Sequence, residues 1–150
     1  MPTLTVTHTE SITLDGRSRG VEKSYTIASI ESVHESSRVL TTSVQKIITM
    51  VDSPDDSALA LDVQLVKYIR LTNLDDTDII SLGIIQTVET AGSVCIKLLP
   101  GESFVAGPPE DLIKIAASAD PGHASFLDLQ TIEAKALTNS AKLEIFVAMV

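Results

Sequence analysis

Leu143-Glu144-Ile145-Phe146-Val147-Ala148-Met149-Val150 is the stretch that decides the fold. Leu143, Ile145 and Val147 recur at every second position, which is the period of a β-strand whose successive side chains point to opposite faces. The second face is also apolar near Phe146 and Ala148. We therefore expect this strand to lie centrally in a sheet or against a neighbouring subunit.

The rest of the chain follows the same pattern in shorter pieces. Val, Ile and Thr are abundant throughout, and β-branched residues favour strands over helices. Residues 24–34 fit a bulged strand or a short helical turn, and we favour the strand. The alternation over 59–72 predicts a long strand with a bulge or a bend near Val66. Residues 126–137 fit a bulged strand or a helix, and we favour the strand. About ten short strands at this spacing predict an all-β antiparallel sandwich with little or no helix.

Length and charge limit the classes of function. At 150 residues, a single domain over 1–150 is expected, and no signal peptide or bilayer-spanning apolar run is visible. The chain has 11 basic and 20 acidic residues, which gives a net charge of −9. That balance disfavours nucleic-acid grooves, which need clustered Lys and Arg, and anionic membrane surfaces. We therefore expect neither nucleic acid nor membrane as a partner.

Single residue types narrow the choice further. Cys95 is the one cysteine, so no intrachain disulfide can form, and its apolar neighbours predict a small buried side chain. The chain has five aromatic residues and no Trp, which leaves little material for a sugar-binding platform. A glycan-binding module is therefore a weaker interpretation than a protein-binding one.

No motif for catalysis or for a cofactor is recognisable. The P-loop, the dinucleotide-binding glycine pattern and the Gly-x-Ser-x-Gly elbow are absent from the sequence. His8, His34 and His123 lie far apart along the chain and lack the spacing of metal ligands. We expect no catalytic residues, no cofactor and no enzyme activity.

One acidic turn is a weak candidate for a calcium site. Asp75, Asp76 and Asp78 crowd a single turn, and carboxylate oxygens are ligands for calcium. The EF-hand pattern fails, since Ile80 stands where glycine is needed and Gln86 where glutamate is needed. Asp side chains that bond their own backbone in a turn explain the cluster without a metal.

Three segments are candidates for contact with a partner protein: the N-terminal strand, the apolar C-terminal strand, and a basic cluster near residue 18. Residues 1–9 predict an N-terminal strand or arm that contacts a neighbouring subunit by adding to a sheet edge. Arg17 and Arg19 form the basic cluster of a hairpin tip and suit an acidic partner surface. The candidate contact residues are Leu4, Val6, Arg17, Arg19, Phe146 and Met149.

Three segments together resemble small virion structural proteins of tailed bacteriophages. They are Val66-Lys67-Tyr68-Ile69-Arg70-Leu71-Thr72-Asn73-Leu74-Asp75, Ile96-Lys97-Leu98-Leu99-Pro100-Gly101-Glu102-Ser103-Phe104, and Leu129 to Ala136 followed by Leu143 to Ala148. The resemblance covers most of the chain, and its motifs are structural. It implies an antiparallel sandwich of jelly-roll type and carries over no catalytic residue.

The resemblance implies a function in the phage particle. We expect a capsid decoration (cement) protein on the capsid surface of the virion, made in the host cytoplasm. Its partners would be the major capsid protein or other virion proteins, and a homo-oligomer, favouring a trimer, suits a capsid. The alternatives are a neck, portal-associated or tail component and, less favoured, a host glycan-binding module.

Overall fold

The computed structural model describes residues 1–52, 54, 60–86, 93–113 and 126–150. In these residues it contains thirteen β-strands and no helix. The strands are β1 (Leu4–Thr9), β2 (Thr13–Leu14), β3 (Arg17–Ser18), β4 (Glu22–Ile27), β5 (Ser32–Leu40), β6 (Gln45–Val51), β7 (Leu61–Asp62), β8 (Val66–Asn73), β9 (Ile80–Gln86), β10 (Ser93–Leu98), β11 (Ser103–Ala106), β12 (Leu129–Ala136) and β13 (Ala141–Met149).

Two packed sheets form the body of the protein. The four-stranded sheet has the order β11-β8-β13-β5, and all its pairs are antiparallel. The five-stranded sheet has the order β10-β9-β12-β6-β7, in which only the short β7 runs parallel to its neighbour. The predicted all-β sandwich is confirmed. The jelly-roll connectivity of the strands stays a prediction.

The C-terminal strand β13 lies inside its sheet, as its sequence predicts. It pairs with β8 on one side and with β5 on the other. Leu143, Ile145 and Val147 are at most 1% exposed and enter the core between the sheets. Ile132 of β12 and Leu82 of β9 meet them there from the opposite sheet. Burial of these branched side chains drives the packing of the sheets.

The first 27 residues form a hairpin outside the sandwich. β1 pairs with β4 along their whole length, and β2 pairs with β3 at the tip. Asp15 and Gly16 have φ angles of 50° and 71°, the left-handed values that a two-residue type I′ turn requires. At its base, Leu4, Val6 and Ile27 pack on the outer face of the four-stranded sheet.

Three expectations need correction. Residues 24–34 are not one bulged strand, because Ser29 adopts a φ of 59° and separates β4 from β5. The long strand over 59–72 is divided by a turn at 63–65, and β8 begins at Val66; Leu59 lies outside the described residues. Cys95 is exposed on the edge strand β10 rather than buried. The predicted number of about ten short strands agrees with the thirteen described, because three of these have only two residues.

Residues 126–137 resolve the remaining ambiguity in favour of the strand. β12 pairs with β9 and with β6; its register shifts between Ile132 and Glu133 against β6, and between Leu129 and Thr131 against β9. Such a shift is the mark of a bulge, which explains why the apolar spacing also fitted a helix.

We predict that Ile145→Ala lowers the free energy of unfolding by about 2–5 kcal/mol, because it leaves a cavity between the sheets. Urea unfolding followed by circular dichroism measures the change. Val44→Ala removes an exposed apolar side chain outside the strands and is the control, with an expected effect within about 0.5 kcal/mol. Equal losses in both variants would contradict the assigned core.

Candidate binding groove

A ladder of polar and aromatic side chains lies on the outer face of the four-stranded sheet. Because alternate residues of a strand share a face, Tyr68 and Arg70 of β8 meet Phe146 and Glu144 of β13 there. The rings of Tyr68 and Phe146 lie 6.0 Å apart at 74°, an edge-to-face contact. The guanidinium carbon of Arg70 lies 5.3 Å from the centre of the Phe146 ring. Nη2 of Arg70 donates to Oε2 of Glu144 at 2.8 Å.

The hairpin stands beside this ladder and encloses a groove of about 430 Å³ with it. The groove is lined by Leu4, Thr5, Val6, Thr7, His8, Tyr25, Tyr68, Arg70, Val105 and Phe146. Three of the five aromatic residues of the chain are among them. Among the residues described, the lining includes one arginine and one histidine, and no aspartate or glutamate.

Arg70 carries the fixed charge of the groove. Its pair with Glu144 is partly exposed, with side-chain exposures of 38% and 25%, so solvent weakens the attraction. Its Nε atom is buried and has no hydrogen-bond partner in the described part of the chain. Stacking on Phe146 stabilises the guanidinium in this position through a cation–π contact.

Tyr68 presents a neutral hydroxyl group at neutral pH. Burial raises the pKa of Tyr68 above its ordinary value of 10.0, with the positive charge of Arg70 opposing the shift and Tyr25 adding to it. The groove therefore combines aromatic surface, a phenol and a cation. This combination suits an apolar or aromatic group next to a carboxylate.

The candidate contact residues separate into three places. Leu4, Val6 and Phe146 come together at the groove, where the first two pack against the cluster around Tyr68. Arg17 and Arg19 lie exposed at the far end of the hairpin. Met149 is partly buried and packs against the main core. Residues 1–9 fold back on their own chain through β4, and contact with a neighbouring subunit stays a prediction.

The acidic turn is held by hydrogen bonds to the backbone. Oδ1 of Asp75 accepts from the backbone N–H groups of Thr77 and Asp78 at 2.9 and 2.7 Å. The Asp78 carboxylate is buried and accepts from the backbone N–H of Asn139 at 2.6 Å, and of Thr138 and Ile79. Asp78 thereby joins the β8–β9 loop to the β12–β13 turn.

The structure does not bring Asp75, Asp76 and Asp78 together as a set of calcium ligands. Among the residues described, no three His, Cys, Asp or Glu side chains form a group that could hold a metal ion. Asp76 is exposed, and carboxylate oxygens of Asp75 and Asp78 already accept hydrogen bonds from backbone N–H groups. Of the histidines, His8 lines the groove and His34 is exposed, while His123 lies outside the described residues.

Sequence reasoning missed the groove because it joins distant segments. The signal that was available is the alternation Tyr68-Ile69-Arg70-Leu71, which assigns Tyr and Arg to one face of a strand. It does not show that Phe146 and the N-terminal hairpin meet that face.

Comparison with protein-family models, with curated proteins and with solved structures gives no significant match to this chain. In the part of the chain that the structure describes, no helix is long and apolar enough to cross a membrane.

We predict that Val6→Asp detaches the base of the hairpin from the sheet, because it places a charge against the apolar cluster around Tyr68. Hydrogen exchange should show fast exchange in β1 and β4 and unchanged protection in β8 and β13. Thr5→Asp puts the same charge at a neighbouring, exposed position of β1 and serves as the control. Protection of β1 and β4 that survives in Val6→Asp would refute the packing.

We predict that Asp78→Asn destabilises the protein at pH 7 and that the difference from the wild type disappears in acid. The pKa of Asp78 lies below its ordinary value of 3.8. The largest cause is the hydrogen bond from the backbone N–H of Asn139, and those from Ile79 and Thr138 add to it, although desolvation opposes the shift. The carboxylate therefore stabilises the fold above the unfolded pKa, and this contribution is lost as pH falls through the folded value.

Urea midpoints at pH 7 and pH 2.5 measure this effect. Asp76→Asn changes an exposed carboxylate of the same turn and is the control, with little change expected at either pH. A constant difference between Asp78→Asn and wild type at both values would contradict the assigned role of the Asp78 charge.

Proposed function

We propose that the protein is a structural component of a phage virion, a capsid decoration (cement) protein that stabilises the head through protein–protein contacts. It acts by binding, without catalysis and without a cofactor. Its partners are the major capsid protein or other virion proteins. The chain is made in the host cytoplasm and resides on the capsid surface.

The strand order supports a jelly-roll version of the sandwich, which is the architecture expected of such proteins. Apart from β7, the orders are β5-β13-β8-β11 in one sheet and β6-β12-β9-β10 in the other. The chain passes from one sheet to the other at nearly every connection after β5. A jelly roll has eight strands in two Greek keys, and we propose that these eight strands follow that topology.

The exposed tip of the hairpin is the observation that carries the proposal. Ile12, Leu14 and Val21 are 55%, 50% and 45% exposed there. Arg17 and Arg19 lie beside them on a chain whose net charge is −9. Apolar side chains mixed with arginines, on a segment that extends away from the body, are typical of a protein contact surface. An acidic partner surface would complement this tip.

The same hairpin supports the proposal of a symmetric homo-oligomer, with a trimer favoured. A tip that binds the acidic body of the next copy makes a head-to-tail contact, and such contacts close into a ring when the rotation between copies returns to the first copy. A ring of three suits the local three-fold positions of a capsid shell.

Two other functions compete with this proposal. A neck, portal-associated or tail component uses the same kind of sandwich and contact surface. A host glycan-binding module is favoured by the convergence of Tyr25, Tyr68 and Phe146 at one groove, because aromatic faces stack on sugar rings.

We predict that quantitative mass spectrometry of purified particles finds the protein in numbers comparable to the major capsid protein. Such a count follows if the protein covers the shell. A count of about a dozen or fewer would assign it to the unique vertex or the tail instead, where cyclic rings are the rule. The portal protein of the same particles calibrates the low end of the scale. Absence from the particle would refute the virion function.

A further inference from the structure

Both edges of the two-stranded β1–β4 hairpin lack a neighbouring strand in the part of the chain that the structure describes. Among the described strands, β1 pairs with β4 alone. Glu10 donates its backbone N–H to the carbonyl of Val21 at 2.8 Å, on the same register as the β1–β4 pairs. Antiparallel strands alternate hydrogen-bonded and non-bonded pairs, so even-numbered residues of β1 direct their main chain at β4. Thr5 and Thr7 direct theirs to the opposite edge.

This edge borders the groove on the outer face of the four-stranded sheet. Five consecutive residues, Leu4 to His8, line the groove. Leu4 and Val6 do so from the side that packs towards the sheet, whereas Thr5 and Thr7 are exposed. Because all five residues line it, the groove runs along β1 rather than across it. The length of β1 along it is about 17 Å at the rise of an antiparallel strand.

The floor of the groove offers two different positions for side chains. Tyr68 and Phe146 form an aromatic step, and Arg70 lies next to it over the Phe146 ring. Alternate side chains of an extended segment point to the same face, so one would meet the aromatic step and another the guanidinium.

Charge selects the chemistry of the occupant. The chain carries 20 acidic residues, yet none is among the described residues that line this groove, whereas Arg70 and His8 are. Each of the two already contacts one carboxylate from beside the groove, Arg70 that of Glu144 and His8 that of Glu10. The Arg70 guanidinium still favours a further carboxylate in the groove over one on the rest of this acidic surface. Pairing with Glu144 leaves donors of the Arg70 fork for a second acceptor.

We propose that the groove binds an extended, acidic and apolar segment of a partner protein, which adds to the free edge of β1 as a third strand. Its main chain pairs with Thr5 and Thr7, an apolar side chain packs on Tyr68 and Phe146, and a carboxylate binds Arg70. The third strand strengthens the ribbon, because a two-stranded hairpin by itself is marginally stable. The inference rests on the proposed function only for the source of the segment, a second virion protein.

A random heptapeptide library selected on the purified protein tests the proposal. We expect enriched peptides to alternate apolar residues with Asp or Glu, and their dissociation constants are then measured by fluorescence anisotropy. Replacing the acidic residue of an enriched peptide by its amide should weaken binding about tenfold or more, in line with a lost charged hydrogen bond. Arg70→Gln should remove most of that difference.

Two proline variants separate pairing at the groove from general damage to the hairpin. Thr5→Pro removes an N–H from the free edge of β1, and proline is tolerated on edge strands. Thr26→Pro is the matched control, because Thr26 lies directly opposite Thr5 and directs its N–H to the other edge of the ribbon. We expect at least tenfold weaker peptide binding in Thr5→Pro and an unchanged dissociation constant in Thr26→Pro.

Hydrogen exchange of the wild-type protein provides a second readout that needs no variant to fold. Added peptide should slow exchange at the amides of Thr5 and Thr7 but not at Thr26. The proposal is overturned if no peptide is enriched, if Thr5→Pro binds as tightly as wild type, or if only glycans bind the groove. A protein that binds the peptide but is absent from particles would refute the virion function and leave the groove assignment intact.

Discussion

The burial of both faces of β13 is the constraint on which the rest of the structure depends. Leu143, Ile145 and Val147 enter the core between the sheets, whereas Ala148 and Phe146 on the other face pack under the hairpin. A strand that buries two faces needs a layer on each side. The five-stranded sheet supplies one layer, and the N-terminal hairpin supplies the other. The groove exists because the second layer covers only part of the face.

The sandwich could be predicted because its information is local. Alternation with period two assigns each side chain of β8 and β13 to a face, and the apolar composition of β13 requires neighbours on both sides. Residues 126–137 were ambiguous because a bulge breaks the period. The misassigned segment 24–34 depends on Ser29, a non-glycine residue with a left-handed φ that no sequence pattern indicates.

The binding groove and the acidic turn could not be predicted, since both depend on contacts between distant residues. Asp78 accepts hydrogen bonds from residues 60 and 61 positions further along the chain. The Arg70–Glu144 pair spans 74 positions. Turn chemistry correctly indicated that carboxylates bond the backbone at Asp75, but it gave no reason to expect Asp78 to hold a second loop. For the same reason, the sequence did not indicate that Tyr25, Tyr68 and Phe146 meet at one groove, and the low aromatic content made such a meeting improbable.

The position of β13 also determines when the protein can fold. The four-stranded sheet places β13 between β8 and β5, so these two earlier strands never touch each other as neighbours. During synthesis, β5 and β8 leave the ribosome before β13, the strand that lies between them in the sheet. Until β13 emerges, their facing edges have no partner. Closure must wait until residue 149 has emerged, since pairing then extends from Ala141 to Met149. The four-stranded sheet therefore completes late, after β13 has emerged, and the edges of β5 and β8 are exposed to chaperones or aggregation beforehand.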